Sequence, residues 1–244
     1  MNSLDALAYT NPWRRRHPAE KAALALGLLA CAVALPPWPG AMIVGVVALV
    51  ALLGPVALRP AQVWRAVRAP LVFVAVGSVP LLVAVGGATL VRWEPAGIGP
   101  AVALAGRALA ALLCLVLFAA TTPLADTLPR LERLGVPAAV TEIAALIYRL
   151  LFLLLDTITT VREAQAGRLG FRTWRTTYRS VAGQAGAVFV GSFDRARRLE
   201  QGLALRGYTG SLQVQVQARP LSWRFLVVTV IVLAAVVSAT VVLG

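Results

Sequence analysis

The chain has 244 residues, of which 59% are apolar and only 14% charged, with a net charge of +13 and a mean hydropathy of +0.79. A soluble domain carries about a quarter charged residues, so this composition excludes an ordinary soluble globule and points to a helical membrane protein. One histidine, His17, and two cysteines inside apolar runs, Cys31 and Cys114, exclude a metal site or disulfide framework built by this chain alone, and no cofactor is expected on it.

From the N-terminus, Arg14-Arg15-Arg16 precede an apolar stretch, Ala22 to Leu35, in the outline of a secretory signal. Leu28-Leu29-Ala30-Cys31 also resembles a lipoprotein cleavage box, but the residues after Cys31 stay apolar and another span follows almost at once. A cleaved signal opens into a soluble domain, so this run reads as a retained anchor. Four spans are expected over residues 1–121: Ala22 to Trp38, Ala41 to Leu58, Leu71 to Val91 and Ile98 to Ala120. Pro36-Pro37-Trp38-Pro39-Gly40, Arg59-Pro60 and Arg92-Trp93-Glu94-Pro95 separate them. Arg107 interrupts the fourth span and requires a protein or water contact, either a buried polar contact to a partner or snorkelling toward an end.

Residues 122–220 differ in texture. Pro123 to Leu134 reads as a short amphipathic helix with Asp126 and Arg130 paired at i,i+4, and Gly135-Val136-Pro137 ends it. A long helix follows over about 138–165, with Val140, Ile143, Ala144, Ile147, Leu150, Leu151, Leu154, Ile158 and Val161 as its apolar stripe. A second runs over about 177–205, with Val181, Ala185, Val188, Phe189, Ser192, Ala196, Leu199 and Leu203 on one face. Within it Gly183, Ala187 and Gly191 repeat every four residues, a row that lets another helix approach closely. The two helices close with Gly167-Arg168-Leu169-Gly170 and Leu205-Arg206-Gly207-Tyr208. A last span, Leu221 to Leu243, begins with the interfacial residues Trp223 and Arg224.

Charge sets the orientation. If Val140 to Leu155 crossed the membrane, the ten arginines between Arg162 and Arg219 would lie outside. If it stays on the cytoplasmic side, every basic cluster is inside, including Arg14 to Arg16, Lys21, Arg59, Arg65 and Arg68. The expected fold is therefore all-α and polytopic. It has about five spans, a cytoplasmic N-terminus, a cytoplasmic region of one short and two long amphipathic helices, and an outer C-terminus after the span in 221–244.

These features resemble the transmembrane T component of energy-coupling factor (ECF) transporters, in the cobalt-type CbiQ family, over nearly the whole chain. Ala8-Tyr9-Thr10-Asn11-Pro12-Trp13 with Pro18 and Lys21 is similar to the family's approach to its first span. Thr122-Pro123-Leu124-Ala125-Asp126, Leu134-Gly135-Val136-Pro137 and Tyr148-Arg149 resemble its central segment. Phe193-Asp194-Arg195-Ala196-Arg197-Arg198, through Gln201 and Ala204 to Arg206-Gly207-Tyr208, is the most specific part. The resemblance implies an Ala-Arg-Gly motif at the end of each long helix, whose arginine docks on a cytoplasmic ATPase. The matching residues are Arg168, and Arg206 with Gly207. Here Gly167 and Leu169 replace the first motif's alanine and glycine, and Leu205 replaces the second's alanine.

So read, the chain is a scaffold in the bacterial plasma membrane. It joins two ATP-binding cassette ATPase subunits to a substrate-binding S component, for import of cobalt or nickel in support of cobalamin biosynthesis, or alternatively of a vitamin such as biotin. The chain has no GxxxxGK[ST] loop and borrows its ATPase. A membrane enzyme would need a carboxylate pair or a Ser/His constellation, and ten scattered acids with one histidine do not supply one. A membrane-tethered binder of anionic lipid or nucleic acid is the remaining class that the arginines permit, though the resemblance implies no nucleic-acid partner.

Overall fold

The computed structural model describes residues 3–84, 92–93, 97–208 and 220–243. The end of the expected third span (85–91), Glu94-Pro95 and Arg219 lie outside the described residues. Nine α-helices are described: α1 (Ser3–Thr10), α2 (Pro18–Ala34), α3 (Met42–Leu53), α4 (Pro60–Ser78), α5 (Ile98–Thr121), α6 (Leu124–Leu131), α7 (Ala138–Gly167), α8 (Trp174–Ala204) and α9 (Trp223–Leu243). Val83–Ala84 pairs antiparallel with Arg92–Trp93 over two residues each. The chain is a polytopic helical membrane protein and forms two compact units, Asn2–Leu124 with Gln217–Gly244, and Ala125–Val216.

In the first unit α5 is the hub, packed by α1, α2, α3 and α4, while α9 lies against α2 and α3. Leu28, Val44, Ala48, Leu52 and Leu117 are buried at its centre. Small residues set the approach of α2 and α9: a Cβ at Gly27 would stand 2.7 Å from Leu233 Cδ1. In a bilayer this packing is driven by close van der Waals fit rather than by water.

Proline places the helix starts and stops. Pro18 occupies the first turn of α2, where its missing N–H is harmless, and His17 Nδ1 accepts from the Ala19 N–H. The chain then kinks through Pro37–Ala41 before α3. α4 begins at Pro60, eleven residues before the expected Leu71, because Pro60 is pre-set for a first turn and the Gln62 side chain accepts from the Arg59 N–H. Arg65 and Arg68, which precede the expected third span, therefore lie within α4. Among the described residues, four segments are long and apolar enough to cross a membrane: Pro60–Leu82, Ile98–Thr121, Ala138–Gly167 and Trp223–Leu243. α2, with 17 residues, is as long as the expected first span but begins four residues earlier, and α3, with 12, is shorter than the expected second. α7 meets the length criterion too, so length does not distinguish it from the spans.

Buried charge in this unit is placed at helix ends. Glu20 and Lys21 are each 1% exposed. Lys21 Nζ donates to the Thr121 carbonyl at 2.7 Å, and Asn11 Nδ2 donates to that of Ala120 at 2.7 Å, so both occupy the C-terminus of α5. Glu20 Oε1 accepts from the Ser222 N–H just before α9. A cation at a helix C-terminus and a carboxylate at an N-terminus each complement the macrodipole and fill groups with no intrahelical partner. Lys21, counted above as a cytoplasmic surface charge, is an interior side chain.

The second unit is α6, a 3₁₀ turn (Glu132–Leu134), and the α7–α8 hairpin. Arg130 donates to the Asp126 main-chain carbonyl within α6. The 3₁₀ turn ends at Gly135 with φ +95°, and Val136 N–H returns to the Leu131 carbonyl at 3.1 Å. Pro137 then starts α7, and Thr141 donates to Glu132.

Candidate functional site: two arginine-tipped helix ends

α7 and α8 have 30 and 31 residues and run antiparallel. Three hydrogen bonds fix the pairing along them. Ser180 Oγ donates to the Gly170 carbonyl at 2.9 Å, Gln184 Nε2 to the Ile158 carbonyl at 2.8 Å, and the Tyr208 hydroxyl to Glu142 Oε1 at 2.5 Å. Arg168 ends α7 and Arg206 ends α8, so the hairpin holds the two exposed arginines at opposite ends. At 1.5 Å per residue the separation is about 40 Å.

The two ends share one geometry despite their different sequences. After α7, Leu169 N–H bonds the Ala166 carbonyl at 3.0 Å, and Gly170 N–H reaches back to that of Gln165 at 2.8 Å. After α8, Gly207 N–H bonds the Ala204 carbonyl at 3.1 Å, and Tyr208 N–H reaches that of Leu203 at 3.1 Å. Each is a Schellman cap, with the arginine immediately before a left-handed residue. That residue is Gly207 at φ +71° in one cap and Leu169 at φ +56° in the other. A side chain in this region costs about 1–2 kcal/mol, so Leu169 does with strain what Gly207 does freely. Leu169 thus gives the end of α7 the backbone shape that Gly207 gives the end of α8.

Tyr208 closes the second end onto the start of α7. Its hydrogen bond to Glu142 holds the phenol's pKa above its ordinary 10.0, with burial and the adjacent negative charge acting the same way.

Other expected sites fall differently. The row Gly183, Ala187 and Gly191 is exposed, and among the described residues nothing lies within 4 Å of a Cβ built at Gly183 or Gly191. No close crossing is made there by a described helix of this chain. α8 turns Val188, Ser192 and Leu199 of the expected face inward, together with Thr177, Ser180 and Gln184. Val181, Phe189 and Phe193 are left 51%, 71% and 58% exposed. Arg107 makes one contact within the chain: its Nη2 donates to the Leu35 carbonyl at 2.9 Å, at the C-terminal end of α2, while its buried Nε has no partner among the described residues. The arginine inside α5 therefore joins the helix-end charges described above, with its partner in the same chain. The roles of Asn11, Glu20 and Lys21 were missed because a charge beside Arg14 to Arg16 reads as solvated; only Asn11 and Lys21 recurring among the family-like residues hinted otherwise.

The apolar helices long enough to span a bilayer, with an arginine-tipped helical hairpin, define a multi-pass helical membrane protein. Residues 10–218 match the CbiQ family, described as cobalt transport protein. The chain is 41% identical over 219 residues to the cobalt transport protein CbiQ of Rhodobacter capsulatus, covering 89% of this chain and 88% of that one. It is 27% identical over 227 residues to CbiQ of Salmonella typhimurium, covering 88% of this chain and all of that one. A putative fused cobalt transport protein CbiMQ of Methanocorpusculum labreanum is 26% identical over 221 residues, which make up 86% of this chain and 37% of the fused protein. The chain belongs to the CbiQ family of cobalt transport proteins.

Proposed function

We propose that this chain is the coupling subunit of an ATP-driven cobalt importer, docking two ATPase subunits through Arg168 and Arg206 and passing their motion to a substrate-binding membrane subunit. The observation that carries this reading is the repeated cap: one backbone device, at both ends of one hairpin, offering an exposed arginine each time. Nothing in helix stability requires the two ends to match. An exposed guanidinium at a fixed backbone angle suits charge-assisted bonding to acidic or carbonyl groups in a partner's groove. The fused relative supports the separate membrane subunit, since the part resembling this chain is 37% of it and the remainder is joined covalently. Cobalt follows from the names of the relatives. The cobalt ion is cargo, and its ligands belong to the partner.

In this reading α2 to α5 and α9 sit in the membrane, and the hairpin lies at the cytoplasmic face, where its arginines satisfy the positive-inside rule. The exposed row Gly183, Ala187 and Gly191 is then available for a helix of another subunit. A cysteine placed at the exposed Gln201 should react only with reagents on the cytoplasmic side, and labelling from outside intact cells would overturn the orientation.

The docking role has a direct test. Alone, the protein should hydrolyse no ATP; with its ATPase partners it should form a detergent-stable complex. Arg206→Glu should dissociate that complex and abolish uptake while leaving insertion intact, because a charge-assisted contact is worth about 1.5–3 kcal/mol before repulsion is added. Arg168→Glu should act in the same direction, and Arg175→Glu, near the hairpin turn, should matter much less. Wild-type assembly and transport by Arg206→Glu would reduce Arg206-Gly207 to a helix cap.

A further inference from the structure

A groove of about 550 Å³ opens along the first unit between α2, α3 and α9. Its walls are aliphatic, including Leu28, Val47, Val50, Val228 and Val232. α2 and α9 run parallel along it, since Glu20 meets Ser222 at their starts and Gly27 faces Leu233 farther along. Both helices therefore begin at the same end, and that end alone is basic: Arg16 and Arg224 line it beside Trp13 and Ser222. The Arg16 guanidinium lies 4.8 Å above the Phe225 ring, and Phe225 meets Trp13 edge-on at 5.3 Å. The aromatic pair thus holds this guanidinium at the groove's mouth.

Thr229 lines the groove and is 3% exposed, and its Oγ1 has no hydrogen-bond partner among the described residues. A buried hydroxyl without a partner costs about 1–3 kcal/mol. Helical threonines in this chain, such as Thr240, normally satisfy theirs on the carbonyl four residues back. Thr229 lies five residues beyond Arg224, about 7.5 Å along the helix, and Val232 about 12 Å.

We propose that this groove binds one anionic phospholipid. Its phosphate sits between Arg16 and Arg224, and one acyl chain lies along the aliphatic wall. Charge at one end only and hydrocarbon beyond reproduce the order of a lipid from head to tail. Glu20 lies behind Ser222, where it accepts that residue's N–H, so one carboxylate opposes two guanidinium groups and the mouth stays net positive. A lipid in contact with α2, α3 and α9 would brace the bundle where α2 and α3 are short. The inference needs only membrane residence and is independent of the coupling role.

Native mass spectrometry of the delipidated full chain, with phosphatidylglycerol or phosphatidylcholine of matched chains, tests it. The wild type should retain one phosphatidylglycerol in preference to phosphatidylcholine, and Arg16→Gln with Arg224→Gln should weaken retention about thirtyfold. Val228→Trp should fill the groove and block retention with both arginines intact. Glycerol phosphate at equal concentration should not compete, which separates a lipid from a free phosphate ligand. Equal retention of the two lipids, competition by glycerol phosphate, or undiminished retention by Val228→Trp would each overturn the proposal. So would absence of bound lipid from the assembled transporter with a partner helix cross-linked into the groove.

Discussion

Replacing Lys21 by methionine isolates one helix-end charge. The ammonium is 1% exposed and donates to the Thr121 carbonyl at 2.7 Å, one residue from the carbonyl taken by Asn11. Methionine has similar reach and fills irregular space, so it keeps the packing and deletes the charged donor. Losing a hydrogen bond from a charged group costs about 1.5–3 kcal/mol, and losing the cation at the end of α5 adds up to about 2 kcal/mol. Relief of the ammonium's desolvation works in the opposite direction by several kcal/mol. The Thr121 carbonyl, left without this donor in a buried position, tips the balance to a net loss of about 2 kcal/mol. Thermal unfolding in detergent should then fall by about 4–8 °C for a chain of this size. Asn11→Ala should lower it less, because its donor is neutral. If the methionine variant melts at or above the wild-type temperature, the ammonium is a tolerated burden and not a fastener.

Leu169→Gly should stabilise the end of α7 by about 1 kcal/mol by releasing left-handed strain, read as slower amide exchange at Leu169 and Gly170. The same change at an ordinary helical position would destabilise, so a loss of protection would remove the strain argument. Tyr208 gives a pH test: its folded pKa is raised, so the hydrogen bond to Glu142 contributes fully below pH 10.0 and is lost as pH climbs through the folded value. The difference in tyrosinate absorbance between the wild type and Tyr208→Phe should have its midpoint above 10.0, and a midpoint at or below it would contradict the contact. Arg107→Met should cost about 1.5–3 kcal/mol through the Leu35 carbonyl, and assembly with partner subunits should survive, because the contact is internal.

What the sequence revealed of this molecule follows from which interactions are local. The long helices emerged close to their true bounds, 138–165 against Ala138–Gly167 and 177–205 against Trp174–Ala204, because periodicity and glycine punctuation are properties of neighbours in the chain. The inward face of α8 was only half legible. Apolar spacing selected Val188, Ser192 and Leu199, which are part-buried, but also Val181, Ala185 and Phe189, which are exposed, and it passed over Ser180 and Gln184, whose side chains bond the end and the middle of α7. In a membrane protein the most apolar stripe need not face the chain's own core, since lipid or another subunit can cover it. Arg168 and Arg206 were found through the resemblance, but that Leu169 copies the backbone of Gly207 needed coordinates. The buried ends of α5 and α9 lay furthest from view, because Lys21 to Thr121 and Glu20 to Ser222 join residues about 100 and 200 positions apart.

Two antiparallel helices of nearly equal length, each finished by the same cap, are related by an approximate twofold axis through the middle of the hairpin. A single polypeptide thereby acquires the symmetry of a dimer without being one. Such an object can meet a twofold-symmetric partner with equivalent surfaces on both halves, with no second copy of itself. The equivalence is imperfect at one atom-level detail, leucine against glycine at the left-handed position. Two identical partners seated on this hairpin would therefore be distinguishable from the moment they bind, with one half held by a strained turn and the other by a relaxed one.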